Sequence, residues 1–174
     1  LVADLPRYNC VITNPPYRKI NSDSDARRAL RVLGIETSNL YSAFVWLSFR
    51  LLTQSGEIVA ITPRSYCNGP YFRPFRQALL AATALSRIHV FGSRTHAFRD
   101  DEVLQENVIL HAVKNALQPE GVLISTSSGP DDAEPSIRSV PFQDVVHVGD
   151  RELFIRIPHH EMSARVTQQL HFFS

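Results

Sequence analysis

The chain is predicted to fold as an α/β protein, with a mostly parallel sheet that ends in an antiparallel hairpin. Three observations carry that expectation. Short apolar runs of strand length alternate with longer stretches of helical period. The first apolar run is cut off by two adjacent prolines. The 174 residues, 44% of them hydrophobic, suffice for one buried core, and no apolar stretch reaches the roughly 18 residues that a membrane span needs.

The first strand is Cys10-Val11-Ile12-Thr13, closed by Asn14-Pro15-Pro16-Tyr17. Neither proline has an N–H to give to a sheet, so pairing stops there. A residue that precedes proline is driven out of the helical region, which keeps Asn14 and Pro15 extended. The result is a stiff loop that presents an amide and a phenol ring beyond the carboxyl edge of the sheet. Open α/β sheets bind their ligands at that edge. An amide beside an aromatic ring suits a planar, nitrogen-rich ligand: the ring stacks and the amide oxygen accepts hydrogen bonds from an amino group. The plainer reading is a Pro-Pro turn with a surface tyrosine.

Asn21 to Asp25 is polar and rich in capping residues, and Ala26 to Leu33 is helix-permissive up to Gly34. Arg27, Arg28 and Arg31 cluster there, as a solvated helix face or as a DNA contact. Ser38-Asn39 is placed to cap a helix from about Leu40 to Thr53. Phe44, Leu47, Leu51 and Leu52 follow the helical period, Tyr41 and Trp46 flank them, and Gly56 closes the stretch. Glu57 to Thr62 reads as a buried strand stopped by Pro63. A turn-rich segment from Ser65 to Pro70 leads into a helix from Arg73 to Thr83, whose Pro74 is tolerated in the first turn. Ser86–Phe91 and Asn107–Val113 are two further strands. The polar loop between them holds Phe98, a large ring either tucked onto the core or kept out for use.

Beyond Ala116 the texture changes. Ser125 to Ser136 reads as a loop. Val145–Val148 and Leu153–Ile157 read as short strands parted by Gly149-Asp150, and Glu161 to Ser174 as the start of a helix. The chain therefore divides into residues 1–117 and a peripheral β segment, 118–174. The charge divides with it: 14 basic and 9 acidic side chains in the first part, 4 and 8 in the second. All but Lys19 and Lys114 of the basic residues are arginines, a composition compatible with phosphate contacts and so with nucleic acid. Cys10 and Cys67 have neither metal spacing nor disulfide density, which points to a reducing cytosol. The histidines, including the pair His159-His160, lack ligand spacing, and no metal site is expected. The start, Leu-Val-Ala-Asp-Leu-Pro, has no initiator Met and no signal-peptide character; it reads as a cut through a longer protein.

Placed in this order, the residues resemble the N6-adenine DNA methyltransferases of restriction–modification systems, in the class whose cofactor motif precedes Asn-Pro-Pro-Tyr. Asn14-Pro15-Pro16-Tyr17 resembles the catalytic motif. Asn39 to Phe44, leading through Leu51-Leu52 and Gly56 to Ile58–Pro63, resembles the helix and strand that come after it. Phe98 ahead of the strand Asn107–Val113 resembles the loop whose aromatic residue packs on the target base. The resemblance spans about residues 4–117. It implies a partial Rossmann-like methyltransferase fold, the second half of the catalytic domain, acting on double-stranded DNA in a prokaryotic cytoplasm. It further implies methyl transfer from S-adenosylmethionine to a flipped-out adenine. Asn14, Pro15, Pro16 and Tyr17 are then catalytic, Tyr17 and Phe98 grip the base, and Phe44 with Asn14 borders the cofactor.

One family feature has no counterpart. The Gly-rich cofactor loop stands upstream of the catalytic motif in that family, and none of the 7 glycines here forms G-x-G. The expectation is therefore a piece that is inactive alone, with residues 118–174 leading toward a target-recognition domain. In the family's strand order Cys10–Thr13 would be an apolar edge, open to self-association or covered by residues 118–174. Two other readings stay open at this point. The same motif serves methyltransferases of protein glutamine or ribosomal RNA, and a chain without the cofactor loop can be a non-catalytic DNA-binding or assembly module.

Overall fold

The computed structural model describes residues 5–91, 106–129, 131–147 and 149–158. Six strands and five helices follow one another among the described residues, the last four strands as an unbroken run with no helix between them. They are β1 (Tyr8–Thr13), α1 (Asp25–Val32), α2 (Leu40–Leu51), β2 (Leu52–Pro63), α3 (Ser65–Asn68), α4 (Arg73–Ala82), β3 (Thr83–Phe91), β4 (Asn107–Lys114), β5 (Gly121–Ser127), β6 (Ser136–Pro141) and α5 (Phe142–Val145). A short 3-10 turn, Pro70–Phe72, joins α3 to α4.

The strands form one sheet in the order β1-β2-β4-β3-β5-β6. The α/β class stands, but the sheet is mixed, not mostly parallel. β1 runs parallel to β2, and β3 to β5. Between those pairs β4 returns antiparallel to both neighbours, and β6 returns antiparallel to β5. Each return seats a strand directly beside its predecessor, which needs no crossover.

Alternation along the strands decides what is buried. Ile58 and Ala60 of β2, Val108, Leu110 and Ala112 of β4, Ile88 and Val90 of β3, and Val122 and Ile124 of β5 are all buried in one core with α2 and α4. The residues between them (Val59, Ile61, Ile109, His111, Arg87 and His89) lie on the other face and are only half-buried.

The helical period of α2 picks a different face from the one read in the sequence. Tyr41, Val45, Phe49 and then Leu52 face the main core, whereas Phe44 is 45% exposed. The helix is apolar all round because Ala43, with Leu40 and Leu47, packs into a second small cluster around Ile20, Leu30 and Ile35. A helix buried on two sides carries no polar face to show which side meets the sheet. Nor does Gly56 end that helix. It lies inside β2, at a register shift opposite Tyr8 and Cys10. There it is pressed so close that an added Cβ would stand 3.0 Å from the Thr53 carbonyl. Ser24 caps α1 as its neighbourhood suggests, its Oγ accepting from the Arg27 N–H at 3.2 Å.

Residues 118–158 depart furthest from expectation. Gly121–Ser127 and Ser136–Pro141 are strands of the same sheet as residues 8–114, joined on beside β3. They lengthen the edge opposite β1, so they do not cover Cys10–Thr13. Val145 ends the short helix α5, and the two small strands expected here reduce to one bridge, Val146 to Ile155.

After α5 the chain becomes a strap laid over α3 and α4. The Ile155 N–H donates to the Cys67 carbonyl at 2.9 Å. Arg73 Nε donates to the Arg151 carbonyl at 2.6 Å and Arg76 Nε to that of Glu152 at 2.8 Å. Arg76 is fully buried. Its Nη1 reaches the carbonyls of Tyr66 and Gly69 at 2.9 and 2.7 Å, and its guanidinium lies 4.9 Å from the Phe154 ring centroid. The Glu152 carboxylate stands 3.6 Å away and balances the charge.

Candidate active site

The parallel register pairs Thr13 with Ala60, so Asn14 emerges beside Ile61 at the carboxyl edge. Pro15 is buried and anchors the turn, while Asn14 and Pro16 are exposed and Tyr17 is half-buried. The one proton of the Tyr17 hydroxyl is shared between Asn14 Oδ1 at 3.2 Å and the Ile61 carbonyl at 3.4 Å. Both distances are long, and the shared contact holds the amide and the ring as one unit. The exit of the loop is fixed as well. The Leu40 N–H donates to the Arg18 carbonyl and the Ile20 N–H to that of Ser38, each at 2.8 Å.

Behind the loop stands a run of aromatic rings. Tyr41, in the first turn of α2, meets Tyr17 edge-on with centroids 6.3 Å apart at 82°. The Tyr41 ring lies 5.6 Å from Phe72, and its hydroxyl shares a 2.9 Å hydrogen bond with Ser65 Oγ. The path from Asn14 to the turn after α3 is therefore continuous packing. Phe44 sits one turn further along α2, its exposed ring available at the same helix end.

The ionisable groups of this floor are held neutral. Burial pushes the Tyr41 and Tyr66 hydroxyls well above the ordinary tyrosine value and the Cys67 thiol up to about 12. None of the three can take a proton from a ligand near neutral pH. The edge offers instead an uncharged acceptor, Asn14 Oδ1, next to a π-face. That pair is suited to an amino group on a flat ring and unsuited to general-base chemistry.

The structure thus brings together Asn14, Pro15, Pro16 and Tyr17. Phe98 lies outside the described residues. The arginine cluster on α1 is engaged within the chain: Arg27 and Arg31 both pair with Glu36, and Arg28 pairs with Asp25. Among the described residues no group of three or more His, Cys, Asp or Glu side chains could hold a metal ion. Nor is any described helix long and apolar enough to cross a membrane.

Sequence reasoning missed the Tyr41–Ser65–Phe72 backing and the buried Arg76. Arg76 does leave a trace in the sequence. It falls on the apolar stripe of Phe75 and Leu79, where a charge is out of place unless paired.

Known proteins share both this sequence and this fold. A profile described as the Eco57I restriction-modification methylase matches residues 4–98. The Type II methyltransferase M.BsuBI of Bacillus subtilis is 54% identical over 159 residues, 90% of this chain and 31% of that protein. The Type II methyltransferase M.PstI of Providencia stuartii is 46% identical over 164 residues, 94% of this chain and 32% of that protein. The chain thus spans about a third of the length of these curated relatives. Among solved structures, one described as a class I S-adenosylmethionine-dependent methyltransferase of Listeria monocytogenes superposes with a TM-score of 0.58 at 17% identity, covering 75% of this chain and 41% of that one. That likeness shows the fold. None of these matches favours the glutamine, ribosomal RNA or non-catalytic readings.

Proposed function

Since the chain belongs to the Eco57I restriction-modification methylase family, we propose that it is the catalytic-motif part of an enzyme that methylates the N6 amino group of adenine in double-stranded DNA. The observation that carries the reading is the Asn14–Tyr17 unit: a neutral acceptor and a stacking ring, fixed to each other at the carboxyl edge of the sheet. A duplex hides the adenine amino group, so the base is turned out at a cost of a few kcal/mol. The Tyr17 ring repays part of that cost, a base–aromatic stack being worth about 1–3 kcal/mol. Phe98 is assigned the second face of the base.

The amino nitrogen is a poor nucleophile because its lone pair is delocalised into the ring. Asn14 Oδ1 accepts one of its N–H bonds, and the Pro15 carbonyl accepts the other. Two acceptors placed this way favour a pyramidal nitrogen whose lone pair is free to attack. Asn14 Oδ1 has two lone pairs, so it holds the Tyr17 hydroxyl and a substrate N–H at once. This is positioning and preorganised electrostatics, with no proton removed at the outset.

S-adenosylmethionine, when bound, supplies an activated methyl group on a cationic sulfur. The exposed Phe44 ring and the Asn14–Pro15 backbone fit one border of such a cofactor, the ring as an apolar wall for its adenine. Most of the cofactor's contacts are assigned to the part of the protein upstream of this chain.

The test is Asn14→Ala in the full-length protein. Methyl transfer to a duplex that the wild type methylates should fall at least ~100-fold, as for loss of a transition-state partner, with DNA affinity little changed. Near-wild-type turnover would refute the role given to Asn14.

A further inference from the structure

The turn after α3 is built more firmly than a surface turn requires, and it carries an aromatic ring that the base pocket does not use. Tyr71 is 84% exposed. On either side of it the chain is locked. Gly69 fits so tightly that a Cβ there would come within 2.5 Å of the Ser65 carbonyl and 2.9 Å of the Phe72 ring. Pro70 and Pro74 fix the backbone at the starts of the 3-10 turn and of α4. Phe72 is buried against Tyr41. The fully buried Arg76 donates to the Gly69 and Tyr66 carbonyls from below, so a charge has been taken out of water to hold this turn. The Arg73 side chain, next to the turn and exposed, is itself tied to the Arg151 carbonyl.

Position gives the ring its meaning. β2 runs parallel to β1, so the segment after Pro63 leaves the sheet at the same edge as Asn14. The turn backs directly onto the site through Phe72, Tyr41 and Tyr17. The backbone that carries the ring is already fixed, and a tyrosine has only two side-chain torsions left to order, so a contact made through the ring costs little conformational entropy. The neighbouring Arg73 is bonded to a neutral carbonyl, so its charge adds to the positive potential beside the ring.

Resting on the function proposed above, we infer that Tyr71 is a DNA contact outside the base pocket, its ring packing against the duplex beside the extruded adenine. The ring face needs an aromatic or sugar surface, and the duplex next to a vacated base position exposes both. The hydroxyl is dispensable in this role, because the contact is made by the ring.

The experiment uses the full-length protein with Tyr71→Ala and Tyr71→Phe, and a duplex containing its methylation site. Fluorescence anisotropy should show Tyr71→Ala binding about tenfold more weakly, within the range for one lost base–aromatic contact, and Tyr71→Phe binding like wild type. In parallel, 5-iododeoxyuridine is scanned through the positions flanking the target, and photocrosslinks should map to the peptide that contains Tyr71. Unchanged affinity in Tyr71→Ala without a crosslink overturns the inference, as does a loss in Tyr71→Phe equal to that in Tyr71→Ala. Crosslinking is read without methyl transfer. A crosslinked Tyr71 in a protein that methylates no adenine would therefore count against the catalytic reading and not against this contact.

Discussion

On the function proposed above, Tyr17 has two separable duties, carried by different atoms. The ring is the stacking face, while the single hydroxyl proton is shared between Asn14 Oδ1 and the Ile61 carbonyl and aligns Asn14 with the strand edge. Tyr17→Phe keeps the ring and loses only that shared contact. It is expected to lower turnover no more than about fivefold, in keeping with the modest net worth of a hydrogen bond. Capture of a fluorescent adenine analogue at the target position should stay intact. Tyr17→Ala should abolish that capture. Equal behaviour of the two variants would show that the ring does not stack. The pair itself is legible in the sequence, because Asn-Pro-Pro-Tyr after an apolar run dictates a stiff strand-end loop from proline chemistry alone. Tyr41 and Arg76 are not legible there as parts of the site. Their roles depend on packing across α2, α3 and α4, which no local pattern encodes.

Among the elements, β2 stops at Pro63 as expected but begins at Leu52, five residues ahead of the expected Glu57. β1, α1, α2, α4, β3 and β4 are readable to within a few residues, because proline, glycine and the alternation of apolar side chains mark their limits. β5 is not. Its polar end, Ser125-Thr126-Ser127, looks like loop material, yet Ser125 and Ser127 are buried in the seam with β3. His89 explains why serines are there. Its Nδ1 lies 2.9 Å from Ser125 Oγ and its Nε2 3.0 Å from Ser127 Oγ.

Burial, and then Arg87, hold the His89 pKa below its ordinary 6.5. The folded chain therefore binds fewer protons than the unfolded one just below that value. The stability from this seam is complete above about pH 6.5 and declines as the pH falls toward the lowered folded value. Urea denaturation at about pH 5.5 and 7.5 should show the wild type losing more stability at the lower pH than His89→Gln does. An identical pH dependence in the two proteins would remove His89 from the account.

At the scale of the molecule, the described sheet ends in two edge strands, β1 and β6, each paired on one side only. β1 is the more apolar of the two and leaves Ile12 81% exposed. An apolar edge with unpaired backbone groups is a template for another strand. The 174-residue chain expressed by itself should therefore self-associate in sedimentation velocity runs, and Ile12→Lys should shift it toward monomer. A wild-type monomer with rapid amide exchange along Val11–Thr13 would contradict this.

The strap over α3 and α4 bears on how such proteins can be recombined. A division at residue 117 looks natural in the sequence, where composition and charge both change. In the folded chain that junction would strip β5 and β6 from the sheet and leave the Arg76 guanidinium without the Glu152 carbonyl and carboxylate. On the function proposed above, a graft meant to change DNA specificity should begin no earlier than Ile157, which is buried in the core. Up to that point the polypeptide is part of the floor on which Asn14 and Tyr17 stand.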